Sequence, residues 1–175
     1  MKAIVCINKN MGIGKSGNIP WKCTKDMKYF KRITMGKGRN AVVMGFTTFL
    51  SLGGKPLKGR RNYVLTKDPQ KAQIFFEEDV IFESSIKNIL LLPHIFEDVF
   101  IIGGEEIYKL FSKHYTEIYL TEINDSSECD KYFLIEDWDD YEIENEENDK
   151  EGDLEIKFYK LKRKRSINSL EIEEI

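Results

Sequence analysis

The strongest constraint on the fold is a set of short apolar runs, rich in β-branched residues and separated by glycine, proline or charge. Residues 3–7, 40–44, 62–66, 99–102 and 117–123 read as strands. Several are apolar almost throughout rather than at alternate positions. That is the habit of strands covered on both faces, as in parallel sheets with flanking helices. Helix-period stretches lie between them. Residues 24–35 place Met27, Phe30 and Ile33 three apart, which predicts a helix burying that face, with Thr24 as N-cap. Residues 47–52, 84–92 and 105–111 predict shorter helices; Ser84 or Ser85 caps the second and Pro93 closes it. Strands alternating with helices predict an α/β fold.

Beyond Ile135 the character changes. From Glu136 to Asp153 acids crowd the chain and Lys150 is the sole base. Residues 145–153, ending in Gly152-Asp153, read as a long hairpin loop between strands at 141–144 and 154–161. Such a hairpin would add an antiparallel edge to the sheet. Lys162-Arg163-Lys164-Arg165 reads as a solvated strand end rather than a nucleic-acid patch, and the polar-acidic end as a tail. The expected division is a domain over residues 1–162 and a charged, disordered tail over 163–175.

A chain of 175 residues is one domain's worth, large enough to bury a core without disulfide or metal staples. The formal net charge of −3 supplies no basic field for nucleic acid. Cys6, Cys23 and Cys129 are odd in number and lack C-x-x-C spacing, as expected of reduced thiols in a cytoplasmic protein. No apolar run approaches the roughly 20 residues needed to span a bilayer.

One apparent motif fails. Gly14-Lys15-Ser16 ends like a phosphate-binding P-loop, but position 9, where the first glycine belongs, is Lys9. The segment from Ile13 to Trp21 is better read as a glycine-rich mobile loop leading into a helix that bears one acid, Asp26. Placed beside Met27 and Phe30, a carboxylate is disfavoured by desolvation; as a first-turn acid it also complements the helix dipole. Both readings stay open on position alone. Gly103-Gly104 lies at a second strand-to-helix junction, either an ordinary tight turn or a place where a ligand meets bare backbone. Glu105 and Glu106 follow it and would oppose a phosphate bound there. Arg60 and Arg61 open a strand, as a solvated edge or as a clamp for a carboxylate. His94 and His114 share no metal-ligand spacing, so no metal is expected.

These pieces carry more in order than singly. An apolar first strand is followed by Gly14-x-x-Gly17-Asn18-x-Pro20-Trp21, an Asp26-bearing helix, and Val43-Met44-Gly45-x-x-Thr48. Then come Pro56-Leu57-x-Gly59-Arg60-x-Asn62, Ile102-Gly103-Gly104-x-x-x-Tyr108 and Tyr119-Leu120-Thr121. The series closely resembles the dihydrofolate reductase family from Met1 to about Lys162. The resemblance implies an eight-stranded, mostly parallel sheet with about four flanking helices and an antiparallel C-terminal hairpin. It implies reduction of dihydrofolate by NADPH, acting as a monomer on a small-molecule substrate with no nucleic-acid or membrane partner.

The resemblance also implies roles. Asp26 matches the family's pocket acid, Thr121 its supporting threonine, Trp21 the tryptophan that helps hold a water beside it, and Tyr108 a residue near the reacting rings. Ile4, Cys6, Met27, Phe30, Leu52, Leu57 and Ile102 match the walls around the substrate, and Arg60 the clamp on its glutamate tail. Cys6, Ile13 and Gly14 would meet the nicotinamide end of the cofactor. Gly45, Thr48, Leu65, Thr66, Lys67, Gly103 and Gly104 match the rest of its site, the Gly-Gly bond being cis in the family. The loop from Lys9 to Lys22 resembles a lid. Phe46 and Glu106 stand where the family often has bases, leaving Lys67 to supply charge, and the family's Asp-Thr-x-Phe-Pro appears as Asp130-Lys131-Tyr132-Phe133-Leu134. The competing readings are a pterin or pyrimidine reductase on the same fold and a folate- or nucleotide-binding module without turnover.

Overall fold

A computed structural model describes residues 1–164. Its frame is an eight-stranded sheet, with strands in the order β5-β4-β3-β6-β1-β7-β10-β9. β1 (Lys2–Ile7), β3 (Ala41–Gly45), β4 (Arg61–Leu65), β5 (Val80–Glu83), β6 (Val99–Ile101) and β7 (Glu117–Ile123) are mutually parallel. β10 (Leu154–Arg163) joins β7 antiparallel, and β9 (Tyr141–Glu151) joins β10. A separate two-stranded ladder pairs β2 (Gly12–Gly14) with β8 (Lys131–Tyr132).

Alternate residues of each central strand enter different cores, which explains the nearly unbroken apolar runs. On one face Ala3, Val5, Ile7, Val43, Ile101, Ile118 and Leu120 pack with helices α4 (Ile86–Leu90) and α5 (Glu105–Leu110) through Ile89, Tyr108 and Phe111. On the other face Ile4, Val42, Met44, Val64 and Phe100 meet helices α1 (Thr24–Met35), α2 (Phe46–Ser51) and α3 (Pro69–Ala72). Phe49 of α2 is fully buried there, ringed by Phe46, Phe75 and Phe82 at centroid separations of 5.6–6.3 Å.

Several expectations need correction. β9 continues to Glu151 and turns at Gly152-Asp153, so the expected long loop is paired strand almost to its tip. The acidic and amide side chains of β9 are nearly all exposed, and this edge strand therefore carries no hydrophobic signal. β10 runs through Arg163, one residue past the expected domain limit, and the guanidinium there binds Asp137 at 2.6 Å. The rest of the expected tail, from residue 165, lies outside the described residues. The N-cap position of α1 is Cys23, and neither its side chain nor that of Thr24 caps the helix. Ser85 does cap α4, accepting from Asn88 N at 3.2 Å. The buried side of α1 is carried by Tyr29, Phe30, Ile33 and Thr34, whereas Met27 is 64% exposed, rotated off that face.

Phe49→Ala should lower stability by about 3–5 kcal/mol, the range for emptying a buried aromatic site. A loss of less than about 1 kcal/mol in the unfolding free energy measured by urea titration would show that this face of the sheet is not close-packed.

Candidate active site

Cys6 of β1 and Thr121 of β7 are register partners on adjacent parallel strands, so their side chains stand side by side on the α1 face. α1 lays Asp26 of its first turn against this pair. Burial is the largest influence on Asp26 and raises its pKa from the ordinary carboxylate value; the facing Thr121 hydroxyl and Cys6 thiol pull it back down. Thr121 is 1% exposed. Trp21 lies against the Cys6 sulfur and packs with Cys23, so the sequence's loop tryptophan reaches the acid by way of Cys6. Burial, with the Asp26 charge adding to it, pushes the Cys6 thiol far up, leaving it a neutral donor.

The C-terminal ends of β1, β3 and β6 meet beside this point. Ile102 N donates to Val43 O and Gly45 N to Gly103 O, both at 2.9 Å, bringing the two glycine junctions together. The Gly103–Gly104 peptide is cis, as the resemblance implied, and Gly103 has φ of +123°, a region that favours glycine. A Cβ on Gly45 would stand 3.0 Å from Ile107, one on Gly103 3.4 Å from the Tyr108 ring, and one on Gly104 3.5 Å from Thr48 Oγ1. The buried Tyr108 hydroxyl donates to Ile4 O at 2.8 Å. Leu65 pairs with Gly45 in the sheet, which puts Thr66 and the exposed Lys67 next to the same junction. Glu105 is turned away from it: its carboxylate accepts from Tyr132 N at 3.2 Å and lies 3.8 Å from Lys131 Nζ. The expected opposition to a phosphate is thereby removed for Glu105. Phe46 sits among Phe49, Phe75 and Phe82, so this departure from the family's base is a core contact.

Arg60 is 6% exposed, and burial lowers its pKa. Its Nη1 donates to Thr34 Oγ1 at 2.9 Å, and Nε and Nη2 donate to Lys58 O at 3.1 and 3.0 Å. Three of its five N–H groups are thus held by neutral acceptors, and among the described residues it forms no ion pair. Asn62, fully buried, closes the loop that presents it, accepting from Leu57 N and donating to Leu57 O and Arg60 O. Ile4, Phe30, Leu57 and Ile102 share one apolar cluster; Met27 and Leu52 belong to none and are exposed on α1 and just past α2.

The segment around Ile13 and Gly14 is seated on β8. Asp130 N donates to Gly14 O at 2.9 Å, Ser16 N to Asp130 Oδ2 at 3.0 Å, and Phe133 N to Met11 O at 2.9 Å. The loss of threonine and proline after Asp130 leaves these contacts in place. Asn8, unremarked in the sequence, anchors the loop's start: buried, it accepts from Asn10 N and Gly12 N and donates to Ser127 O. Its only sequence signal is a polar residue closing an apolar strand before a glycine-containing loop.

The dihydrofolate reductase family model matches residues 1–163. The chain belongs to the dihydrofolate reductase family. Among curated relatives, it is 36% identical over 155 residues to a dihydrofolate reductase of Schistosoma mansoni, covering 79% of this chain and 80% of that protein. It is 33% identical over 164 residues to that of Haemophilus influenzae, covering 92% and 97%. A bifunctional dihydrofolate reductase-thymidylate synthase of Daucus carota is 38% identical over 149 residues, which are 78% of this chain and 28% of that one. The solved dihydrofolate reductase of Enterococcus faecalis, complexed with NADP(H) and RAB-propyl, superposes with a TM-score of 0.82 at 28% identity, covering 94% and 96%.

Because burial raises the Asp26 pKa, its ionised form opposes folding above that pKa, and the opposition disappears below the unfolded carboxylate value. Asp26→Asn should therefore melt at a higher temperature than the unsubstituted protein at pH 7. The two Tm values should converge as pH falls through the ordinary carboxylate range. An asparagine variant that is less stable at pH 7 would contradict the placement.

Proposed function

We propose that Asp26 is the group that manages the proton in the reduction this fold performs. The reaction is that of 7,8-dihydrofolate to tetrahydrofolate, with hydride supplied by NADPH. What supports the role of Asp26 is a single observation: it is a carboxyl of raised pKa, set between Thr121 and Cys6 at the carboxyl ends of β1 and β7. Bound there, the substrate's pterin offers a ring N–H and a 2-amino group that pair with this carboxylate, and the charge favours protonation at N5. Thr121 keeps the carboxyl oriented, Trp21 backs it through Cys6, and Tyr108 closes the floor beside Ile4. Ile4, Phe30, Leu57 and Ile102, with Met27 and Leu52 at the rim, hold two flat rings in register and keep water off them.

Arg60 receives the substrate's glutamate tail. A buried guanidinium whose protein partners are all neutral keeps its charge for a carboxylate, and its remaining N–H groups suit two parallel bonds. The residues at the glycine junctions fit the cofactor. Gly45, Gly103 and Gly104 bring bare backbone to one junction, where added Cβ atoms would meet Ile107, Tyr108 and Thr48, and Leu65, Thr66 and the cation Lys67 border it. NADPH supplies the hydride; Ile13, Gly14 and Cys6 would position its nicotinamide end under the loop held by Asp130. The enzyme acts as a monomer on small molecules, and its three free thiols suit a reducing, cytoplasmic setting. Among the described residues no helix is long and apolar enough to cross a membrane.

Loss of 340 nm absorbance on mixing NADPH with dihydrofolate is the direct test, and its absence would remove the reading. Asp26→Asn should lower turnover by about 10²-fold or more, the range for a lost proton-transfer group, with NADPH affinity unchanged. Retention of full turnover at neutral pH would take the role from Asp26. Arg60→Leu should weaken dihydrofolate binding by about 2–5 kcal/mol while sparing NADPH, as expected when one partner of a charged pair is truncated. Equal weakening of both would point instead to a folding defect.

A further inference from the structure

The helix that carries Asp26 begins without a cap of its own. Cys23, in the N-cap position, makes no side-chain cap hydrogen bond: it packs in an apolar cluster with Ile123, Ile156 and Phe158 and brings only a thiol, a weak acceptor, near the Lys25 and Asp26 N–H groups. The free N–H groups there find a partner more than a hundred residues away. Thr24 N donates to Glu151 Oε2 at 2.9 Å and Lys25 N to Glu151 Oε1 at 2.8 Å, so one carboxylate satisfies two donors. Lys25 Nζ adds an ion pair to Asp149 Oδ1 at 2.7 Å.

Both of these acids stand near the tip of the β9–β10 hairpin, next to the Gly152-Asp153 turn. The hairpin is not a free arm. Glu151 pairs with Leu154, and β10 is zipped to β7 so that Phe158 lies beside Thr121. Phe158 in turn touches Tyr29 of α1, with ring centroids 4.4 Å apart. The strand that presents Thr121 to Asp26 and the carboxylate that grips the start of α1 therefore belong to one continuous β7-β10-β9 ladder. Asp26 is two residues from Thr24 and one from Lys25, inside the turn that Glu151 holds.

We propose that Glu151 is a positioning residue for the reaction: by anchoring the first turn of α1 to the hairpin, it sets how deeply Asp26 sits against Cys6 and Thr121. This rests on the assignment of Asp26 given above. A carboxylate at a helix start is favoured by the N-terminal partial charge as well as by the two N–H bonds. Those same two N–H groups are the leading causes that hold the Glu151 pKa below its ordinary value, with Lys25 and Lys22 adding to them, so the anchor is ionised at neutral pH. Releasing it lets the first turn fray toward solvent and returns Asp26 toward an ordinary carboxylate. The groups around Asp26 through which that change is felt are Cys6 on β1, Thr121 on β7, Cys23 before α1, Tyr29 on α1 and Tyr108 on α5.

The test is the pH profile of steady-state dihydrofolate reduction by full-length Glu151→Ala, Glu151→Gln and a control, Glu142→Gln, on the same strand but away from α1. Glu151→Ala should lower kcat/KM for dihydrofolate by about fivefold, the equivalent of a lost helix cap, and move the acid-side midpoint to lower pH. Glu151→Gln keeps one acceptor oxygen and should fall between the two, while Glu142→Gln should match the unsubstituted enzyme. Lower Tm in Glu151→Ala with kcat, KM and midpoint unchanged would reduce the contact to a structural cap and overturn the proposal, as would no change at all. Asp26→Asn, assayed beside them, separates the two claims. If it retains turnover, the assignment of Asp26 fails and this proposal with it; if it is inactive and Glu151→Ala is normal, this proposal alone fails.

Discussion

Asp26 occupies a position that an apolar α/β core resists, a carboxyl laid on the sheet where β1 and β7 run side by side. Burial raises its pKa, and the Thr121 hydroxyl and the Cys6 thiol beside it partly offset that. Such a placement requires the neighbouring elements to be rigid, since a carboxyl free to swing would turn to water. The register of β1 on β7 supplies half of that rigidity by pairing Cys6 with Thr121. The seating of α1, with Phe30 and Ile33 on the core and its first turn held by Glu151, supplies the rest.

The same sheet assembles the remainder of the site by bringing its strand ends together. Ligands of open parallel sheets bind outside the carboxyl ends of the strands, because loops from different strands converge there. Here the junctions after β3 and β6 are tied by Gly45 N to Gly103 O, and the loop after β1 is tied back by Asn8. Asn62 shapes the turn that carries Arg60. Buried amides with every group satisfied do the work of turns that glycine or proline alone would leave loose.

Much of this was legible in the sequence wherever a residue's neighbours in the chain are also its neighbours in physical effect. β7 and α1 have the expected bounds, and β1, β3, β4 and β6 are within a residue or two, because doubly buried strands must be apolar throughout. The site's motifs were readable for a related reason: glycines at junctions and a lone acid in an apolar helix face are demanded locally. What escaped is determined at a distance. The four-residue β5 lies behind the acids Glu77, Glu78 and Asp79, which mask its apolar character. The outer half of β9 is polar at every position, since an edge strand facing solvent needs no apolar alternation. Thr24 looked like a cap because nothing nearby reveals Glu151. Met27 fits a helical period with Phe30, yet the packed face is set by where α1 crosses the sheet, and that leaves Met27 outside it.

The account turns on the state of one carboxyl, so the most direct measurement is of that group. With ¹³C-labelled aspartate and Asp26→Asn to assign the resonance, the carboxyl shift can be followed against pH. The structure predicts a midpoint above the ordinary aspartate value, rising further in Thr121→Val, where a supporting donor is lost. A midpoint at or below that value, insensitive to Thr121, would contradict the burial on which the proposed proton chemistry depends.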